Sequence, residues 1–167
     1  MEKEKENTMP DIQLKEPVNW ANIVDKPEIN TAIICGRSSN AGSAPIGSAD
    51  TKVPFTNNFA NGVSWDDTDD KFTILKAGYY RINANVILSA SADATTMILY
   101  IYKNGNRLIR KVSMGSAASS IMGIDITSPP ELLAVGDTIQ IYMSQNSGGD
   151  INTYSGAEYC QFGIEKI

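Results

Sequence analysis

The chain has no histidine among its 167 residues. That removes the commonest general base and metal ligand, and with them the usual nucleophile triads and zinc sites. Cysteine is nearly as scarce: Cys35 and Cys160 are too few for a disulfide framework or a four-cysteine metal site. Either both are buried and reduced, or they face each other, since one falls in the first expected strand and the other in the last. Basic residues are outnumbered, 14 Lys and Arg against 19 Asp and Glu, for a net charge of −5. Gripping a phosphate backbone needs a clustered excess of cations, so no nucleic-acid partner is expected. No apolar run approaches the roughly 18 residues that span a bilayer, so no membrane insertion is expected. The opening Met1-Glu2-Lys3-Glu4-Lys5-Glu6 alternates in charge with no apolar stretch behind it, unlike a signal peptide. Synthesis in a cytoplasm without Sec-type export is the expectation. Serines abound, yet none sits in a G-x-S-x-G elbow, and no Gly-rich phosphate loop leads into a helix. The chain is therefore read as non-enzymatic, with no catalytic residue.

What is present divides near residue 30. Residues 1–16 are polar and lack a face to bury. Between Pro17 and Pro27 lies a short segment whose apolar residues are Val18, Trp20, Ile23 and Val24. The prolines restrict the residues before them, which leaves room for one or two helical turns at most. Such a segment either packs on its own domain or docks elsewhere, on a partner or on copies of itself around a threefold axis. Residues 1–30 are accordingly expected to be an anchor or linker, with Trp20, Ile23 and Pro27 as its contact residues, and residues 31–167 a separate head.

From residue 31 the apolar residues follow strand spacing. Tyr79–Ser89 is the clearest case, with Tyr80, Ile82, Ala84, Val86 and Leu88 alternating against Tyr79, Arg81, Asn83 and Asn85. Further strands are expected at Thr31–Cys35, Lys52–Phe55, Asn58–Trp65, Lys71–Leu75, Met97–Lys103, Arg107–Met114, Ser120–Thr127, Thr138–Gln145 and Glu158–Ile167. Asn104-Gly105 suits a tight hairpin turn. The Gly-, Ser- and Asn-rich stretch from Gly36 to Asp50 reads as a long loop, as does the stretch opened by Asn146-Ser147-Gly148-Gly149-Asp150. Eight to ten short strands without a helix predict a sandwich or jelly roll, with Tyr80, Ile82, Val86, Leu88, Ile124, Ile126, Ile139, Ile141, Phe162 and Ile164 in its core.

The order of several short motifs carries a resemblance. Lys71-Phe72-Thr73 is followed by Ala77-Gly78-Tyr79-Tyr80, then Tyr102-Lys103-Asn104-Gly105, then Leu133-Ala134-Val135-Gly136-Asp137, and finally Phe162-Gly163. Across about residues 31–167 this series resembles the globular head of the complement first component's q subunit and the related tumour-necrosis-factor fold. The resemblance implies a ten-stranded, all-β jelly roll that assembles as a homotrimer. In that fold one sheet packs its second face on its neighbours, which implies an interface at Tyr79, Arg81, Asn83, Asn85, Ile121 and Asp125. The chain lacks the Gly-X-Y stalk and signal peptide of the secreted animal members. The stretch Trp20-Ala21-Asn22-Ile23-Val24-Asp25-Lys26-Pro27 is similar to W-x-x-I-x-x-K-P segments of bacteriophage tail-fibre and baseplate proteins.

Together these resemblances imply a structural or adhesion protein of a phage virion, a trimeric head on a tail, baseplate or capsid fibre. It would be held to other virion proteins through its N-terminus and would contact a host-surface glycan or protein. A soluble complement- or cytokine-like recognition module is the alternative. Asn146 and Tyr154, in the second long loop, are candidate receptor-facing residues, an ordinary solvent-exposed connection being the other reading. No cofactor is expected. Asp66-Asp67-Thr68-Asp69-Asp70 is the one open candidate for calcium, which favours several carboxylate oxygens, against the alternative of a solvated turn.

Overall fold

The computed structural model describes residues 35–40, 43–89, 95–115, 121–154 and 159–167, and every regular element among them is a strand. In chain order these are β1 (Cys35–Asn40), β2 (Pro45–Ile46), β3 (Thr51–Lys52), β4 (Phe55–Asn61), β5 (Val63–Asp66), β6 (Lys71–Ile74) and β7 (Gly78–Leu88). They continue with β8 (Thr96–Lys103), β9 (Asn106–Met114), β10 (Met122–Thr127), β11 (Glu131–Leu133), β12 (Thr138–Gln145), β13 (Ile151–Asn152) and β14 (Gln161–Lys166). The chain separates into two units, Met1–Thr31 and Ala32–Ile167. The anchor residues Trp20, Ile23 and Pro27 lie outside the described residues.

All pairing is antiparallel, in two large sheets. The first runs β10-β7-β14-β1-β4, with β11 continuing the edge that β10 forms along β7. The second runs β5-β6-β12-β8-β9, with β3 beside β6 on one edge of β12. The segments thus fill five strand positions per sheet. The chain crosses between sheets from β3 to β4, from β4 to β5, from β6 to β7, from β7 to β8, from β9 to β10 and from β11 to β12, which is the weave of a jelly roll. A small β13–β2 pair closes over the core with Ile151 opposite Ile46, both buried.

Period-two alternation builds the core. The even-numbered apolar positions of β7 are buried while Tyr79, Arg81, Asn83 and Asn85 are exposed, and Met122, Ile124 and Ile126 of β10 face the same interior. All ten residues assigned to the core from sequence are buried. Phe162 is its aromatic centre, with ring centroids 4.9 Å from Phe72, 5.6 Å from Phe55 and 6.1 Å from Trp65. Burying side chains of this size stabilises by about 1.5–3 kcal/mol each. The one buried phenol of this interior, on Tyr80, donates to the Lys76 carbonyl at 2.5 Å, so its polarity is satisfied.

The start of the head differs from expectation. The expected Thr31–Cys35 strand lies, except for Cys35, outside the described residues. Gly36–Asn40 lies inside the stretch expected to be a long loop, yet β1 is an interior strand, paired to β14 on one side and β4 on the other. Gly36 explains the composition: a Cβ there would lie 2.3 Å from Cε1 of Phe72, so the opposite sheet's ring occupies the space a side chain would need. The expected Asn58–Trp65 strand is two strands instead, β4 in the first sheet and β5 in the second, broken at Gly62 with φ 70°. The cysteines do not face each other. Cys35 is opposite Glu165, five residues beyond Cys160 in an antiparallel neighbour. At roughly 3.3 Å per residue the separation along the strands far exceeds the ~7 Å that a disulfide allows. Cys160 is a free, buried thiol whose sulfur accepts from Ile87 N–H at 3.3 Å, and burial pushes its pKa up.

Candidate functional site

Because β7 is interior to the first sheet and its odd-numbered residues point away from the core, the face they occupy is open among the described residues. Register sets its rows. Asp125, Asn85 and Gln161 lie side by side, then Thr127, Asn83 and Gly163, then Arg81 and Glu165. The final row is Leu132, Tyr79 and Ile167: Leu132 is opposite Tyr79, and Ile167 N–H donates to the Tyr79 carbonyl at 3.0 Å. Polar pairing fills the middle, including an exposed Arg81–Glu165 ion pair at 3.1 Å, a contact worth at most about 1 kcal/mol. The end row is different in kind. Leu132, Tyr79 and Ile167 are 62, 55 and 53% exposed, three large apolar side chains abreast in water.

The middle of the face is concave. Gly163 has no side chain, and a Cβ there would sit 2.7 Å from Asn83 Oδ1, so the Asn83 amide lies over the glycine. A depression of about 290 Å³ opens there, lined by Asn83, Gln161, Gly163 and Glu165 among others. Five of the six interface residues expected from the resemblance, Tyr79, Arg81, Asn83, Asn85 and Asp125, share this face. Ile121 precedes β10 in the same alternation as Asp125 and is 57% exposed. The sequence reading did not single out Leu132 and Ile167. Leu132 belongs to a three-residue strand too short to show a period, and Ile167 is placed only by register with β7.

Each of the two loop residues makes a contact within the fold. Asn146 is exposed, and its Oδ1 accepts from Thr96 N–H at 2.6 Å, which secures the start of β8. Tyr154 packs edge-on against Tyr159 at 4.6 Å, and its N–H donates to the Ile87 carbonyl. The turn between them is held by the buried Gln145, whose amide donates to the Ile46 and Gly149 carbonyls and whose oxygen accepts from Ser147 N–H.

The acidic turn uses its charges internally. Asp66 Oδ1 accepts from Thr68 and Asp69 N–H, and those bonds, with the Lys71 ammonium, hold its carboxyl below the usual range. Lys71 bridges Asp69 at 2.6 Å and Asp66 at 3.4 Å. Asp70 takes Phe55 N–H at 2.9 Å and the Lys52 ammonium at 3.2 Å. Carboxylates already occupied by lysines and amides do not present the converging set of free oxygens that calcium requires. Among the described residues no group of three or more His, Cys, Asp or Glu side chains is placed to hold a metal.

A second surface was not anticipated from sequence, on the outer side of the other sheet. Tyr100 and Tyr142 are register partners on β8 and β12, and Tyr102 follows two residues along β8. The rings of Tyr102 and Tyr142 lie 4.2 Å apart, and Tyr100 meets Tyr102 edge-on at 6.2 Å. The guanidinium of Arg107 covers Tyr100 at 4.8 Å and bridges Asp50 at 2.6 Å. Tyr102 also donates its hydroxyl to Asp50. Burial first, and then the Asp50 hydrogen bond, push the Tyr102 phenol above its ordinary pKa. The i, i+2 spacing of Tyr100 and Tyr102 was the available signal. Asp50 arrives from a distant loop and carried none.

Neither a protein-family model nor a curated protein matches the chain. Solved structures do. The Eiger TNF of S. frugiperda superposes with a TM-score of 0.61 at 13% identity, covering 81% of this chain and 92% of that one. Murine APRIL at pH 5.0 gives 0.61 at 12% identity, covering 81% of this chain and 99% of that one. At such identities the likeness is one of fold: the head is a jelly roll of the tumour-necrosis-factor type.

Proposed function

We propose that the chain is a homotrimeric display head of a bacteriophage particle, held to other virion proteins by residues 1–30 and contacting a host-surface glycan or protein. The observation that carries the trimer is the exposed Leu132–Tyr79–Ile167 row on the open face of the first sheet. Already about half covered, these three side chains gain on the order of 1 kcal/mol each when the rest is buried. A second exposed apolar patch lies on edge strand β9, where Val112 and Met114 are 49 and 70% exposed. A face that meets a different patch on the next copy makes a heterologous contact, and such contacts close into a ring when the rotation between copies closes. The fold-level resemblance supports a threefold ring. The similarity of the Trp20–Pro27 segment to phage fibre and baseplate stretches supports the virion setting, and nothing in this reading assigns catalysis.

Light scattering on the purified chain tests the trimer. The expected mass is three times that of the chain, and Leu132→Arg should lower it to one. A monomer at micromolar concentration refutes the assembly. A soluble complement- or cytokine-like recognition module is the second reading, favoured by the superposition on the Eiger TNF head. Finding the protein in purified particles, with Trp20→Ala reducing its incorporation, separates the first reading from the second.

A further inference from the structure

The solvent face of an antiparallel sheet is ordinarily polar, because an exposed ring gains nothing from water. The outer face of the β5-β6-β12-β8-β9 sheet breaks that rule with Tyr100, Tyr102 and Tyr142 at neighbouring positions. These rings are also fixed in place. Tyr100 is wedged beneath Arg107 and beside the Ser144 hydroxyl at 3.4 Å, and Tyr102 is tied to Asp50, which Arg107 holds in turn. Tyr102 and Tyr142 remain partly exposed as a rigid pair. A surface ordered in advance loses little entropy when a ligand arrives.

The polar rim shows what such a ligand offers. Gln140 donates its amide to the Asp69 carbonyl at 2.8 Å, and its Oε1 accepts no hydrogen bond among the described residues. Asp50 takes its partners on Oδ2, leaving Oδ1 likewise open. Lys52 is matched by Asp70 and Arg107 by Asp50. Arg110, exposed and directly opposite Tyr100 in the β8–β9 register, has no partner among the described residues. Among the described residues Arg110 is therefore the cation beside the tyrosines that no carboxylate matches, at the end of the face away from the acidic turn that Gln140 touches.

We propose that this face binds a saccharide bearing a carboxylate, of the uronic-acid class. The apolar C–H side of a pyranose ring covers the Tyr102–Tyr142 pair, ring hydroxyls donate to Asp50 Oδ1 and Gln140 Oε1, and Arg110 takes the carboxylate through its planar fork. An extended peptide fits less well, since strand addition would run along the free edge of β9 and leave Tyr102 and Tyr142, on β8 and β12 further in, uncovered. This names the ligand class within the host-contact part of the function proposed above.

The test is calorimetric titration of the full chain with three probes: an oligogalacturonate, a neutral hexose oligomer of the same length, and polyglutamate. Saturable binding of the oligogalacturonate is expected, weakened at least tenfold in Arg110→Gln and retained in Tyr142→Phe. The neutral oligomer should bind weakly and equally to wild type and Arg110→Gln. Arg110 is exposed and partnerless, so its replacement should leave the melting temperature unchanged even if Tyr142→Ala unfolds. Absence of saturable oligogalacturonate binding, indifference to Arg110→Gln, or equal affinity for polyglutamate each overturns the proposal. A chain that trimerises but binds no uronate refutes the platform and spares the display role. A monomer that binds uronate does the reverse.

Discussion

Asn104 and Asp137 belong to two turns that are distant in sequence and act as one unit. Asn104 turns at φ 52°, with Gly105 at 76°. Its side-chain amide donates to Asp137 Oδ1 at 2.7 Å, and its Oδ1 accepts from Thr138 N–H at 2.8 Å. Asp137 also takes Ala134 N–H at 2.8 Å and the Lys103 ammonium at 2.9 Å. Burial alone would raise the Asp137 pKa, but the bonds from Asn104, Lys103 and Ala134 outweigh it and lower it to about 2. A carboxyl depressed on folding stabilises fully above its unfolded pKa near 4, and that contribution fades as pH falls from about 4 to about 2. After discounting for solvent screening it is on the order of 1 kcal/mol. Asp137→Asn should therefore lower the melting temperature at pH 7 and flatten its dependence between pH 4 and 2, as read by circular dichroism. Deeper in the molecule, Phe162→Ala removes the ring shared by Phe55, Trp65 and Phe72, and should cost about 3–5 kcal/mol in urea unfolding. A loss below about 1 kcal/mol would mean that β14 is not the core strand described.

At the scale of elements, legibility followed alternation. β7, β8, β9 and β12 lie within a residue or so of their expected spans: β7 writes its wet and dry faces into the chain as strict alternation, while β8 and β9 are bounded by the Asn104-Gly105 turn. β1 wrote no such pattern. Its sequence Cys35-Gly36-Arg37-Ser38-Ser39-Asn40 looks like a loop, and its place is set by backbone pairing on both sides and by the Phe72 ring over Gly36. β2, β11 and β13, at two or three residues, are too short for any period. Gly36→Ala tests the account of β1. A methyl driven into the Phe72 ring should destabilise by about 1–3 kcal/mol, against the small gain that Gly→Ala brings at a site with room. The candidate face was legible along β7, where exposed and buried residues alternate. It was not legible at Leu132 and Ile167, which reach Tyr79 only through pairing across three strands.

For the whole molecule, a division of roles leads to one further expectation. Deleting residues 1–30 should leave a soluble trimer with nearly unchanged melting while abolishing incorporation into the particle; unfolding of the shortened chain would show that the segment belongs to the jelly roll. The pairing of β1 with β14 adds something separate. Because these first and last strands are antiparallel neighbours, with Cys35 opposite Glu165, the head's chain comes in and leaves on the same side. Neighbouring strands lie only about 5 Å apart, so a short peptide should bridge from Ile167 back to Cys35. Topologically the head is close to a closed loop of strands. Rejoined there and reopened within residues 146–150, a circularly permuted head should fold to the same sandwich. The unpermuted head, spliced through its adjoining ends into a surface loop of an unrelated protein, should hang from that loop as a pendant without prising it open.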